Sequence, residues 1–310
     1  MYAERRIAVV VPAFCEEKHV GTVVRTMPDF VDHILVVDDA SPDGTADAAR
    51  ATGDPRVEVI VHERNKGVGG SIITGHRRAI ELGADVCVVM AGDAQMDPAA
   101  LPALLDPIVH DGYDFTKANR FYSSTSFAGM PKYRIVGNIV LTFLTKLSSG
   151  YWDIVDPQNG YTAITTKVLG RLPLHRIAER YEFENDLLIW LNIENARARD
   201  VAIPAVYGEE QSGIRLGRVV PRILALLFRG FWRRMWRKYV LWSFSPIALL
   251  FFTGLFLVTF GVAAGIWAAV ESLGKPTASA GTVLLAVTPF LTGVQMLVQA
   301  LVLDIQATPK

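Results

Sequence analysis

Four short segments concentrate side chains able to bind a charged ligand. They are Pro12-Ala13-Phe14-Cys15-Glu16-Glu17, Asp38-Asp39-Ala40-Ser41-Pro42-Asp43-Gly44-Thr45, Asn65-Lys66-Gly67-Val68-Gly69-Gly70 and Gly92-Asp93-Ala94-Gln95-Met96-Asp97-Pro98. Carboxylates gathered in one crevice need a cation or a donor-rich ligand to be tolerable. Asp93, Gln95 and Asp97 alternate along the chain and offer hard oxygen ligands, which suit Mg²⁺ or Mn²⁺ carrying phosphates. Asp97 before Pro98 also fits a helix N-cap, and both readings stand. The glycine run after Asn65 would let backbone approach a phosphate at a helix N-terminus. It has neither the G-x-G-x-x-G spacing of dinucleotide folds nor the Lys-Ser/Thr end of a P-loop.

The elements that must position these segments alternate between strand and helix patterns. Residues 7–12 form a continuous apolar run, expected of a buried parallel strand, and residues 33–37, 57–61 and 86–90 read as the next strands. Helical spacing covers residues 18–26, 44–51 and 68–82. Repeating β-α units predict an α/β domain over residues 1–217, with a mostly parallel sheet and helices on both faces. Ligands of such sheets bind outside the carboxyl ends of the strands, where all four polar segments fall.

The chain has 310 residues, half of them apolar, and a formal net charge of zero that is unevenly placed. Between Glu210 and Glu271 no acidic residue occurs, while Arg215, Arg218, Arg222, Arg229, Arg233, Arg234, Arg237 and Lys238 do. That asymmetry predicts contact with an anionic surface. Residues 246–270 and 276–303 are uncharged. At 1.5 Å per residue about 20 residues cross a hydrocarbon core of roughly 30 Å, so the expectation is a two-helix transmembrane hairpin over 244–304 with a tail at 305–310. Residues 218–243 mix Leu, Phe and Trp with Arg, as an amphipathic helix on the membrane surface would, with Trp232, Trp236 and Trp242 at headgroup level. The basic stretch 233–238 predicts that the α/β domain lies on the cytoplasmic side of the cell membrane, and the first residues show no signal-peptide pattern. Cys15 and Cys87 form no disulfide framework and are expected to be small buried hydrophobes in a reducing compartment.

Taken in order, VVVPAFCEE, VVDDASPDGT, NKGVGG and GDAQMDP resemble the family 2 glycosyltransferases of the GT-A fold. Within them the chain is similar to the polyisoprenyl-phosphate glycosyltransferases, such as dolichol-phosphate mannosyltransferase and its bacterial glucosyl counterpart. The resemblance covers residues 5–215. It implies that Pro12, Phe14, Glu16, Val37 and Asp39 line a nucleoside pocket, and that Lys66 belongs to the substrate site. It implies that Asp93, Gln95 and Asp97 hold a divalent metal against the diphosphate, with Gln95 standing where the family usually has a second Asp. Lys117 and Arg120 match a basic motif on the acceptor side. Arg134 and Asn138, four apart on one helix face, resemble the pair that grips the lipid phosphate. Asp156 and Gln158 belong to a motif near the sugar, Tyr181 to Asp186 to a looser acidic motif, and Ser212 and Arg215 to a loop that closes over the diphosphate. Arg215 also reads as membrane-surface charge.

The implied reaction moves a sugar from a nucleotide diphosphate, UDP favoured over GDP, to a polyprenyl phosphate with inversion. Asp156 would act as base or steady the sugar. The partners are then these two substrates and membrane lipid, with a homo-oligomer left open. A nucleic-acid role is disfavoured because the basic stripe abuts lipid-length apolar runs. Two rival readings are a processive polysaccharide synthase, against which stands the lack of a Q-x-x-R-W motif, and a non-catalytic, membrane-anchored nucleotide-sugar-binding or flippase subunit.

Overall fold

Seven strands build one sheet around β1 (Ile7–Ala13), every residue of which is buried. The computed structural model describes residues 1–121, 132–203, 216–273 and 279–309, without the side chains of 132–134 and 216–218. β2 (His33–Asp38), β3 (Val57–Val61), β4 (Val86–Val89), β5 (Phe115–Asn119), β6 (Thr162–Thr165) and β7 (Ala198–Ala202) complete the order β3-β2-β1-β4-β6-β5-β7. β6 runs against its neighbours and the other pairings are parallel. The register sets Ala13 beside Asp38, so the first two polar segments leave the sheet together.

Side chains along a strand alternate between faces, and β1 feeds two cores. Ala8 and Val10 pack with Leu35, Ile72, Val168 and Leu187, whereas Ile7, Val9 and Val11 pack with Val20, Val36 and Leu104. The helices behind those contacts are α1 (Val20–Arg25), α2 (Thr45–Arg50), α3 (Val68–Glu81), α4 (Leu101–Val109), α5 (Lys132–Ser149), α6 (Thr166–Leu169), α7 (Phe183–Ile193) and α8 (Leu216–Arg234). The mostly parallel sheet with helices on both faces is thus as the alternating pattern predicts.

Two compact units form, Met1–Phe231 with Pro309–Lys310, and Trp232–Thr308. The first extends well past residue 217 because α8 contributes to its core: Ile223 and Leu227 are buried with the residues of α7, and Gly230 sits against Ile189. The helix expected on the membrane surface thus packs against protein through Ile223 and Leu227, while Val220, Leu224 and Phe228 are exposed. Cys87 is buried as expected, but Cys15 is exposed on the loop after β1.

In the second unit α9 (Pro246–Glu271) and α10 (Ala280–Gln306) are long and apolar enough to cross a membrane. Ser245 and Ser279 cap them by accepting the Ile247 and Thr282 N–H groups, both at 3.2 Å. Their backbones approach closely at small residues. A Cβ added at Gly254 would meet the Gly293 oxygen at 2.9 Å, and one at Gly261 would meet the Phe290 nitrogen at 2.7 Å.

Residues Met235–Leu241 are π-helical and lead into α9. Here Arg234, completely buried, donates to Asp304 through two nitrogens at 2.6 and 3.0 Å. The Tyr239 hydroxyl donates to the same carboxylate at 2.6 Å, and the Lys238 ammonium lies 5.7 Å from the Tyr239 ring centre. Arg234 and Lys238, counted in the sequence as surface charge, are therefore interior groups. Removing one partner of a buried pair strands the other charge. Asp304→Ala should accordingly destabilise this unit by about 3–5 kcal/mol, seen as a lower Tm of the full chain in detergent. An unchanged Tm would show that the pair contributes nothing to its stability.

Candidate active site

The loops after β1, β2 and β4 enclose a cavity of about 470 Å³ lined by Pro12, Phe14, Glu16, Asp39 and Asp93, together with Arg180 and Tyr181. Cys15, Ala40 and Ala94, one on each loop, adopt positive φ of 61°, 59° and 60°. Such backbone is unfavourable for a residue with a Cβ and persists where surrounding bonds over-determine it. Those bonds are present. The Cys15 N–H donates to Ser41 Oγ at 3.0 Å and the Glu16 N–H to Thr45 Oγ1 at 2.8 Å. Asp38 in turn accepts from the Ser41 N–H at 3.0 Å and from its hydroxyl. The Gln95 N–H closes a turn onto Asp93 Oδ1 at 3.0 Å.

Asp39 is 2% exposed and holds the cavity floor together. Its Oδ1 accepts the Lys66 N–H at 2.8 Å and lies 2.7 Å from His62 Nδ1, while Oδ2 accepts the Gly67 N–H at 2.7 Å. His62 Nε2 lies 2.9 Å from Thr74 Oγ1 on α3. One carboxylate thus joins the ends of β2 and β3 to the start of α3. Lys66 takes part through its backbone. His62 was not anticipated, and its only sequence signal is its place just after a strand. Val37, expected in the nucleoside pocket, is fully buried in the core, because alternation turns it away from the cavity.

The glycine run makes room for protein backbone. Gly67 has φ 91°, and a Cβ there would meet the Glu179 oxygen at 2.8 Å; one at Gly69 would meet the Ala178 oxygen at 2.8 Å. The Gly70 N–H donates to the Glu179 oxygen at 2.8 Å. The segment seated there carries Arg180, which no motif singled out, and Tyr181, matched only loosely.

A second cluster gathers at β5, β7 and α7. The fully buried Lys117 ammonium donates to Glu184 Oε2 at 3.1 Å and to the Asn159 oxygen, so it does not line the cavity. Arg120 forks onto Asp156 at 2.7 and 3.1 Å, and its N–H reaches the same carboxylate at 3.2 Å. Gln158 Nε2 donates to Asn185 Oδ1 at 2.9 Å, which also accepts from Thr145 Oγ1 of α5 at 3.0 Å. Asn138 is half-buried on α5. The Arg134 side chain, Ser212 and Arg215 lie outside the described residues. Burial pushes Glu184 up, with Lys117 pulling it back. Burial also pushes Asp200 up to about 6, opposed by the Val155 N–H that it accepts at 2.6 Å and by Lys117. Its Oδ1 is buried without a hydrogen-bond partner.

For a metal, the available donors are oxygens. Asp93 lines the cavity, with Gln95 and Asp97 following on its loop. Asp97 does cap the turn at Pro98–Ala100, accepting the Ala99 N–H at 2.9 Å. Among the described residues no three His, Cys, Asp or Glu side chains converge. The oxygens of the Asp93 loop fit Mg²⁺ or Mn²⁺, which complete their shell with phosphate and water, and do not fit a zinc site of nitrogen and sulfur ligands.

The model of the family described as "Glycosyl transferase family 2" matches residues 8–172. The UDP-N-acetylglucosamine–dolichyl-phosphate N-acetylglucosaminyltransferase of Methanococcus voltae is 32% identical over 222 residues, 67% of this chain and 88% of that protein. The polyprenol monophosphomannose synthase of Mycolicibacterium smegmatis is also 32% identical over 222 residues, 68% of this chain and 80% of its own. Among solved structures, the Mycobacterium tuberculosis glucosyl-3-phosphoglycerate synthase in complex with UDP shares the fold, with a TM-score of 0.58, 24% identity, and coverage of 74% of this chain and 81% of that one. The same enzyme with Mn²⁺, UDP and product gives a TM-score of 0.57 at 23% identity, covering 74% of this chain and 80% of that one.

The raised Asp200 has a consequence for stability. The native state binds this proton more tightly than the unfolded chain, whose Asp titrates near about 4. The destabilisation is absent below about pH 4, grows as the pH rises towards about 6, and is complete above it. Asp200→Asn keeps an acceptor for Val155. It should stabilise the protein by up to about 3 kcal/mol at pH 8 and change little at pH 4, measured by thermal unfolding. Equal effects at both pH values would contradict the raised pKa.

Proposed function

The chain belongs to glycosyl transferase family 2, and we propose that it moves a sugar from a nucleotide diphosphate sugar to a polyprenyl phosphate, dolichyl or undecaprenyl, at a membrane. The observation that carries this reading is the placement of Pro12, Phe14, Glu16, Asp39 and Asp93 around one cavity at the strand ends. The names of the similar proteins support the acceptor class, since they carry dolichyl phosphate and a polyprenol monophosphomannose. UDP is favoured as the donor nucleotide, supported by the Methanococcus voltae protein's name and by the UDP complex of the structural neighbour.

In this reading Pro12, Phe14, Glu16 and Asp39 receive the nucleoside. Asp93, with Gln95 and Asp97, holds Mg²⁺ or Mn²⁺. A bound divalent ion supplies charge neutralisation for the departing diphosphate. Ser212 and Arg215 close over that diphosphate. Arg134 and Asn138 grip the acceptor phosphate, and Arg120 orients it. A phosphate monoester has a second pKa of about 6, so it attacks at neutral pH largely as the dianion and needs no strong base. Asp156 is engaged by Arg120 through three hydrogen bonds. We therefore assign Asp156 the orientation of Arg120 in place of proton abstraction. A single in-line displacement inverts the anomeric centre.

The apolar helices α9 and α10 anchor the chain in the cell membrane, with the catalytic domain on the cytoplasmic side, where the basic residues of 233–238 are retained. That geometry suits an acceptor whose phosphate lies among headgroups while its tail stays in lipid.

The test is incubation of the full chain with polyprenyl phosphate and a panel of labelled nucleotide sugars, reading lipid-extractable label. One donor should give label in the lipid phase, and Asp93→Asn should lower it at least about 100-fold with an unchanged Tm. Label that stays water-soluble with every donor would overturn the function, and full turnover in Asp93→Asn would overturn the role of that carboxylate.

A further inference from the structure

The charge at the cavity is one-sided. Glu16, Asp39 and Asp93 bring three carboxylates to its lining, and Arg180 brings the single cation among the described lining residues. Two other basic groups that sequence motifs placed at the substrate are paired with carboxylates, Lys117 with Glu184 and Arg120 with Asp156. Arg180 differs from both. Among the described residues it makes no ion pair and no side-chain hydrogen bond, and it is exposed to the cavity.

The position of Arg180 is nevertheless built. Its Cγ lies 3.0 Å from where a Cβ of residue 67 would stand, so a glycine at 67 is what lets the arginine pack there. Gly69 leaves room for the Ala178 oxygen, and the Gly70 N–H binds the Glu179 oxygen at 2.8 Å. The backbone before Arg180 is therefore fixed to the first turn of α3, whose Gly67 N–H is itself held by Asp39. The cation and the cavity floor share one set of bonds.

We infer that Arg180 is a donor-binding residue that pairs with the diphosphate of the nucleotide sugar. This rests on the transferase reading and adds a residue to it. A guanidinium presents a planar fork that matches two phosphate oxygens, and a cation without a protein partner gives up no existing bond to make that contact. The metal and Arg180 would then divide the diphosphate charge between them, while the nucleoside is held by groups that Arg180 does not touch.

The role separates diphosphate from nucleoside recognition. UDP and uridine are titrated into the full chain in detergent with Mn²⁺, for the wild type, Arg180→Gln and Arg180→Lys, with GDP and guanosine as a parallel pair. Arg180→Gln should weaken UDP about tenfold and leave uridine unchanged, and Arg180→Lys should fall between. Equal UDP affinity in wild type and Arg180→Gln overturns the inference and leaves the transferase reading standing. Equal losses for UDP and uridine also overturn it, because the arginine would then shape the nucleoside pocket. A wild type that binds neither UDP nor GDP overturns both readings.

Discussion

The buried carboxylate of Asp39 is the contact on which the rest of the site depends. A carboxylate taken out of water is costly unless its oxygens are filled. Here two backbone N–H groups and the His62 ring fill them, at 2.7–2.8 Å. Hydrogen bonds to an ionised acceptor are among the stronger kinds. They are made to three parts of the chain that the sheet alone would not join. The end of β2 gives the carboxylate, the end of β3 gives the imidazole, and the loop into α3 gives the amides. Fixing that loop fixes the glycine run, and the glycine run seats the backbone that carries Arg180 and Tyr181. The cavity floor and the side that carries Arg180 and Tyr181 thus follow from one side chain.

A different principle governs the cluster around Lys117. Its charges are paired with one another. Lys117 with Glu184 and Arg120 with Asp156 neutralise groups that are buried or half-buried, and the pairs set the shape of the loops around Asp156. Asp200 contributes to that shape through the Val155 N–H at 2.6 Å, next in sequence to Asp156. The carboxylates of this enzyme therefore divide by use. Asp38, Asp39, Asp156 and Asp200 hold backbone or side chains in place, and Asp93 faces the cavity.

What could be read from the residues was what depends on local pattern. Runs rich in apolar residues marked β1 to β4 within a residue or two, most plainly at β1, which is buried along its whole length. Pro12, Phe14, Glu16, Asp39 and Asp93 were found at the cavity because each lies on a loop that directly follows a strand. Three of the misses share one cause, which is partnership across long sequence separations. Lys117 looked like a substrate ligand because Glu184 is 67 residues away. Arg234 looked like a surface charge because Asp304 is 70 residues away. The extension of the first unit through α8 depends on Ile223 and Leu227 packing with α7, which no local period reveals. Val37 is a miss of another kind, since the two-residue period of the strand would have turned it inward.

Asp39 organises the cavity at the strand ends, and amide exchange tests this most directly. In Asp39→Asn the Lys66 and Gly67 N–H groups lose their ionised acceptor while the strands stay intact. Hydrogen exchange on the full chain in detergent should show loss of protection confined to residues 65–70 and 178–181, together with weaker UDP binding. Unchanged protection of Lys66 and Gly67 with unchanged UDP affinity would contradict the account.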